Sequence, residues 1–217
     1  MSEFLVRILR GNSARPTRLH TERGQLASLD SLVKAAVRRA EEVFLHKVPV
    51  APWMAPQSIE RLAQLLQPQH RLLEFGSGRS TAWYAARVKE VVSIEPNATW
   101  AEKVRGDLLH AGLLNCVLVE STIKDVIPDV SQHGQFDVVI VDGDDEWDGG
   151  SRMDCVAAAK ELGASIVVLD DSDRAWYREA AQVLDAYRQE RFVGFRSRPF
   201  VAGETSVYIR SDVGGHN

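Results

Sequence analysis

Apolar positions change their period along the chain. Between 25 and 47 they recur at helical spacing. Leu29, Leu32, Val33, Ala36, Val37, Ala40, Val43 and Phe44 fall on one side of a 3.6-residue wheel, which predicts an amphipathic helix. The stretch Val48-Pro-Val-Ala-Pro-Trp-Met-Ala-Pro56 is too proline-rich to continue it and reads as a connector. A second helix is expected over 57–66, closed by Pro68. From 70 onward, short apolar runs alternate with helical patterns. Strands are expected at 71–75, 91–94, 116–119, 136–141 and 165–169, and helices at 80–89, 97–111, 151–162 and 173–189. The runs 192–195 and 205–209 predict a closing antiparallel pair.

Strands that alternate with helices imply βαβ units and a parallel sheet with right-handed crossovers. The expected fold is therefore α/β: a Rossmann-like, doubly wound and mostly parallel sheet with helices on both faces and an N-terminal helical extension. With 217 residues the chain has room for one such domain. The expected division is a lead and helix over 1–47 and the main domain over 48–217. Open α/β sheets bind ligands beyond the carboxyl ends of their strands. Five such ends carry acids: Glu74, Glu95, Glu120, Asp142 and Asp170-Asp171. A sheet needs no such clustering to fold, so these positions point to function.

The first strand runs into Glu74-Phe-Gly76-Ser77-Gly78-Arg-Ser80. Two glycines allow a sharp turn and close backbone approach, and the following helix offers free N–H groups. The next strand ends in Glu95-Pro96, where a carboxylate can accept both ribose hydroxyls of a nucleoside. A dinucleotide loop would carry a third glycine, and Thr81 stands there instead. Glu74 before the turn suits a ligand ammonium, directly or through water, better than a pyrophosphate. S-adenosylmethionine (SAM) has an ammonium and a ribose and no phosphate, so the loop fits SAM better than a nicotinamide dinucleotide.

Taken in order, Leu73-Glu-Phe-Gly-Ser-Gly-Arg-Ser-Thr81, Val92-Ser-Ile-Glu95, Phe136-Asp-Val-Val-Ile-Val-Asp-Gly143 and Ile166-Val-Val-Leu-Asp-Asp-Ser-Asp-Arg174 resemble a small bacterial class I SAM-dependent methyltransferase. The resemblance implies a seven-stranded sheet with one antiparallel strand. It implies SAM contacts at Glu74, Gly76, Gly78, Glu95 and the Glu120–Ser121 end of the third strand. Ser77, Ser80, Pro96 and Asp142 join these as expected cofactor neighbours.

Asp142, Asp170 and Asp171 end neighbouring predicted strands and should converge. Three carboxylates together need a cation or a shared proton, and oxygen-rich sets suit Mg²⁺ or a similar divalent metal. The pattern is distantly similar to catechol-type O-methyltransferases, with Asp171 standing where those have Asn. Asp142 and Asp170 are accordingly the candidate catalytic residues, and Asp142, Asp170 and Asp171 the candidate metal ligands. The competing reading has the residues around 171–173 capping a helix and Asp142 orienting SAM or acting as a base. Trp147, Arg152, Arg174, Trp176 and Tyr177 are candidates for substrate contact, although Trp176 fits the core better and Arg174 fits an internal salt bridge with one of the nearby aspartates at least as well.

The formal net charge of -4 and the pI of about 5.9 argue against a phosphate-gripping nucleic-acid enzyme. No run is long and apolar enough for a membrane span. Cys116 and Cys155 have no metal-ligand spacing and read as buried thiols. Arg15 and Arg18 read as part of a solvated N-terminal lead. The expectation is a cytoplasmic enzyme that methylates a small-molecule or sugar hydroxyl, with no nucleic-acid or membrane partner and with a homo-oligomer left open. Two alternatives stay open as well, a non-catalytic SAM-binding module and a nicotinamide-dependent oxidoreductase.

Overall fold

The computed structural model describes residues 14–45, 50–143, 151–196 and 200–211. Its sheet is built from β1 (Arg71–Phe75), β2 (Glu90–Ile94), β3 (Cys116–Val119), β4 (Val138–Val141), β5 (Ile166–Asp170), β6 (Tyr187–Arg196) and β7 (Val201–Arg210). The strand order is β3-β2-β1-β4-β5-β7-β6. β1 to β5 are parallel, and β7 runs antiparallel to both β5 and β6. The chain winds outward from β1 to β3 and then returns to lay β4 beside β1. The switch point therefore lies between the tips of β1 and β4, where Phe75 pairs with Val141.

Alternation along the strands feeds two cores. Leu73, Phe75, Val139, Val141, Val167 and Leu169 face one side, where Ile123, Val156, Tyr177 and Leu184 cover them. Leu72, Val91, Val138, Ile140 and Val168 face the other, under Ile59, Leu62, Trp83, Tyr84 and Val104. Burial on both faces explains why β4 and β5 read as continuous apolar runs. The crossover helices are α3 (Arg79–Ala85), α4 (Ala98–His110) and α6 (Arg152–Glu161), with the short α5 (Ile123–Val126) after β3. Asn97 caps α4 by accepting from the Trp100 N–H, and Ser151 with Asp154 forms a capping box on α6.

Two stretches depart from the sequence expectation. The helix expected over 173–189 is absent. A 3-10 turn at Ala175–Tyr177 and the single helical turn α7 (Ala180–Val183) stand in its place. Tyr187, Arg188 and Gln189 are instead the first residues of β6, paired with Arg210, Ile209 and Tyr208 of β7. Backbone partners on β7, distant in sequence, override the helical pattern of these three residues. Trp176 is accordingly 66% exposed and outside the core.

Arg15 and Arg18, expected in a solvated lead, belong to a segment that is tied down. The Glu22 N–H donates to Asp173 (2.7 Å), Ala202 N–H donates to the Arg18 carbonyl (2.8 Å), and Arg15 lies within 4.0 Å of Asp173. Helix α1 (Leu29–Phe44) then crosses β6, where Phe195 N–H donates to Ser31 Oγ (3.1 Å). A proline-flanked connector leads to α2 (Pro56–Leu65) and to β1.

Candidate functional site

The turn after β1 holds the site together. Gly76 has φ +101° and donates its N–H to the Ile94 carbonyl (3.0 Å). A Cβ there would lie 2.6 Å from Gly143 Cα and 2.7 Å from Gly143 N, so only glycine lets the β1 and β4 tips meet. Gly78 has an extended φ and is the N-cap of α3, and its N–H donates to Thr81 Oγ1 (2.9 Å).

Glu74 lies beneath this turn, fully buried. Its carboxylate accepts from Ser80 Oγ (2.7 Å), Thr81 Oγ1 (2.6 Å) and Ser93 Oγ (2.7 Å). Burial pushes its pKa up to about 7; the three hydroxyls oppose that rise and the nearby Glu95 adds to it. Thr81, at the position of a dinucleotide loop's third glycine, is thus a strut between the turn and Glu74. Glu74 braces the loop from below and does not line the cavity above it.

Glu95, at the tip of β2, is nearly buried. It accepts from the Ser77 N–H (3.2 Å) and hydroxyl (2.9 Å) through one oxygen and from the Asn97 N–H (3.0 Å) through the other. Trp100, on the first turn of α4, donates its indole N–H to the Ser77 carbonyl (2.9 Å) and so closes the loop against that helix. A cleft of about 300 Å³ is lined by Gly76, Ser77, Glu95, Asn97, Trp100, Asp142 and Gly143. It shares walls with a cavity of about 430 Å³ reaching Trp53, Ser80, Lys103, Asp170, Asp171 and Arg196.

The structure therefore brings Gly76, Ser77, Gly78, Ser80, Glu95, Asp142, Asp170 and Asp171 to one depression. Pro96, Glu120 and Ser121 do not line it. Glu120 is instead ion-paired with Arg105 (2.8 Å). Trp147 lies outside the described residues.

The acidic cluster is neutralised from within the chain. Arg196, on β6, donates Nη1 to Asp170 Oδ2 (3.2 Å) and Nη2 to Asp171 Oδ1. Arg174 pairs with the other Asp171 oxygen, and Thr205 Oγ1 donates to Asp170 Oδ1 (2.6 Å). Arg152 is buried; its Nε donates to the Gly143 carbonyl (2.6 Å) and its Nη1 to the Asp170 carbonyl (2.7 Å). Its Nη2 stands 3.7 Å from Asp142. Both Arg152 and Arg174, candidates for substrate contact from sequence, thus have internal partners. Asp171 adopts φ 56°, which aspartate tolerates better than most residues.

These contacts separate the three carboxyl groups. Burial and the charge of Asp170 hold Asp142 well above the usual carboxylate range, against the pull of Arg152. Burial also raises Asp170, with Arg196 opposing. Burial pushes Asp171 up as well, but Arg196 and Arg174 outweigh it and leave it below its ordinary value. Gly203 makes the arrangement sterically feasible: a Cβ there would lie 2.6 Å from Arg196 Nε and 2.7 Å from its Cζ.

This geometry does not support the expected metal site. A divalent ion needs several free, negatively charged oxygens pointing inward. Here the Asp170 and Asp171 oxygens are engaged by Arg196, Arg174 and Thr205, and the guanidinium supplies the positive charge a metal would bring. Among the described residues no group of three such side chains is placed to hold a metal ion. The donor set does not fit a metal.

Arg196, Trp100, Trp53 and Lys103 line the cavity and were not singled out from the sequence. A signal existed for Arg196: three converging acids require a buried cation, and a charged residue stands inside the strand pattern at 196. Nothing local marked the two tryptophans, which reach the cavity through tertiary packing.

A parallel sheet with this strand order, one antiparallel strand and a glycine turn at the switch point facing an acid on β2 is the class I SAM-dependent methyltransferase fold. No protein-family model and no curated protein matches the sequence. Solved structures with the same fold include an O-methyltransferase from Streptomyces achromogenes, involved in tomaymycin synthesis and bound to SAM. It shows 22% identity, a TM-score of 0.60, and coverage of 84% of this chain and 90% of that one. An O-methyltransferase from Bacillus cereus in complex with SAH shows 16% identity and a TM-score of 0.57, covering 84% and 92%. An rRNA methylase from Streptococcus thermophilus shows 13% identity and a TM-score of 0.55, covering 71% and 94%.

Proposed function

We propose that this protein is a SAM-dependent methyltransferase that methylates a hydroxyl of a small-molecule acceptor. One observation carries the reading. The Glu95 carboxylate is held by Ser77 and Asn97 at the wall of a cleft that opens onto Asp142. Glu95 and Asp142 thus line one cleft beside the glycine turn. The residues present fit SAM. Glu95 retains lone pairs for the ribose hydroxyls, Gly76 and Ser77 offer backbone at close range, and Trp100 gives an aromatic wall.

SAM supplies an electrophilic methyl on a sulfonium. The chain's own part is to orient and to move a proton. Asp142, lining the cleft, is placed to take the proton that the acceptor hydroxyl would lose on methylation. The raised pKa of Asp142 makes it a better base than an ordinary carboxylate once ionised, and an adjacent sulfonium favours that ionised form. Positioning does most of the work, as in other displacements between bound partners. No step is assigned to a metal. Macromolecular methylation is the competing reading, and the rRNA methylase fold match keeps it in the test.

The test is calorimetric binding of SAM, followed by turnover on hydroxylated small molecules and on RNA. Glu95→Ala should weaken SAM binding by about 1–3 kcal/mol, the cost of leaving a buried polar partner unmet. Unchanged affinity refutes the ribose assignment. SAM binding without turnover on any acceptor supports the non-catalytic module, and tight NAD binding without SAM binding supports an oxidoreductase.

A further inference from the structure

Helix α1 is built inside out for a monomer. On a helical wheel its apolar side chains Leu29, Val33, Ala36, Val37, Ala40 and Phe44 form one stripe. The side buried against the sheet is the opposite one, made by Ser31, Ala35 and Glu42. Leu29 is 75% exposed, Val33 and Val37 are each 53% exposed, and Phe44 is 79% exposed. A helix whose apolar face points to water sacrifices the burial that normally stabilises it, unless something covers that face.

We propose that this stripe is a two-fold interface between two copies of this chain, packed as antiparallel α1 helices. Three observations favour a second copy. First, the stripe is self-complementary: an axis between Ala36 and Val37 sets Leu29 against Phe44 and Val33 against Ala40. Large residues then fill the ends, and small ones let the helices approach at the centre, as an isologous contact requires. Second, together with the neighbouring exposed Val43 and Leu45, the stripe offers on the order of 700 Å² of surface, close to the roughly 800 Å² per partner of a standard stable interface. Third, the helix carries no net charge: Lys34, Arg38 and Arg39 are matched by Asp30, Glu41 and the buried Glu42, which pairs with Arg39. An interfacial membrane helix would carry a basic excess there.

The dimer predicts a chain that sediments at twice 24.1 kDa at micromolar concentration. Val37→Glu brings two carboxylates together beside the axis, and Val33→Glu buries an unpaired carboxylate against Ala40 of the other copy at each end. Each should raise the dissociation constant by roughly a hundredfold. Both residues are exposed in the single chain, so circular dichroism and SAM binding should be retained. Val37→Cys beside the axis should form an intermolecular disulfide under mild oxidation, while the parent chain with Cys116 and Cys155 should not. A full-length chain that stays monomeric overturns the proposal, whether residues 1–13 or a lipid surface cover the stripe instead. A dimer that neither glutamate variant weakens overturns it as well.

Discussion

Replacing Glu74 by glutamine isolates one buried charge. The folded protein holds this carboxyl at a pKa of about 7, against an ordinary value of 4.5. Between those values the folded state keeps a proton that the unfolded chain releases. Stability contributed by this group is therefore fully present below about 4.5, falls as pH rises, and is lost above about 7. Two and a half units correspond to about 3 kcal/mol. Glutamine cannot ionise and keeps the shape, so it removes this dependence while leaving Asp142 and Asp170 in place. Urea denaturation of parent and variant, followed across pH 5 to 8.5, reads the difference. The variant should gain up to about 3 kcal/mol on the parent over that range, or roughly 6–12 °C in Tm for a chain of this size. A parent–variant difference that does not change with pH refutes the reasoning. It would mean that Ser80, Thr81 and Ser93 stabilise the ionised form well enough to cancel the burial cost.

Two further outcomes follow from the acidic cluster. Arg196→Met should destabilise the fold by about 3–5 kcal/mol, measured by chemical denaturation, because it leaves Asp170 and Asp171 buried without their main cation. A loss under 1 kcal/mol would show that Arg152 and Arg174 suffice. Chelator should leave SAM binding and turnover unchanged, and a calorimetric titration with Mg²⁺ should give no saturable heat; a saturable signal abolished by Asp142→Ala would restore the metal reading.

The period of the apolar residues was enough to fix the α/β class and the first five strands, because burial on both faces forces continuous apolar runs such as 138–141 and 166–170. The glycine turn and Glu95 were equally legible, since their chemistry depends on spacing within one βαβ unit. The 173–189 stretch was not. Its helical pattern is real, but β7 decides the outcome by offering Tyr187 to Gln189 a ladder of backbone partners distant in sequence. The convergence of Asp142, Asp170 and Asp171 was readable from strand ends. The pairing of Arg174 with a nearby aspartate was readable too; the part of Arg196 was not, because it reaches them from a strand 25 residues later in the chain and over a glycine that only the hairpin register brings beneath it. For the same reason the amphipathic character of α1 was visible in the sequence, while the direction of its apolar face was not. Period measures how strongly a helix is two-sided, and only packing against β6 settles which side meets the sheet.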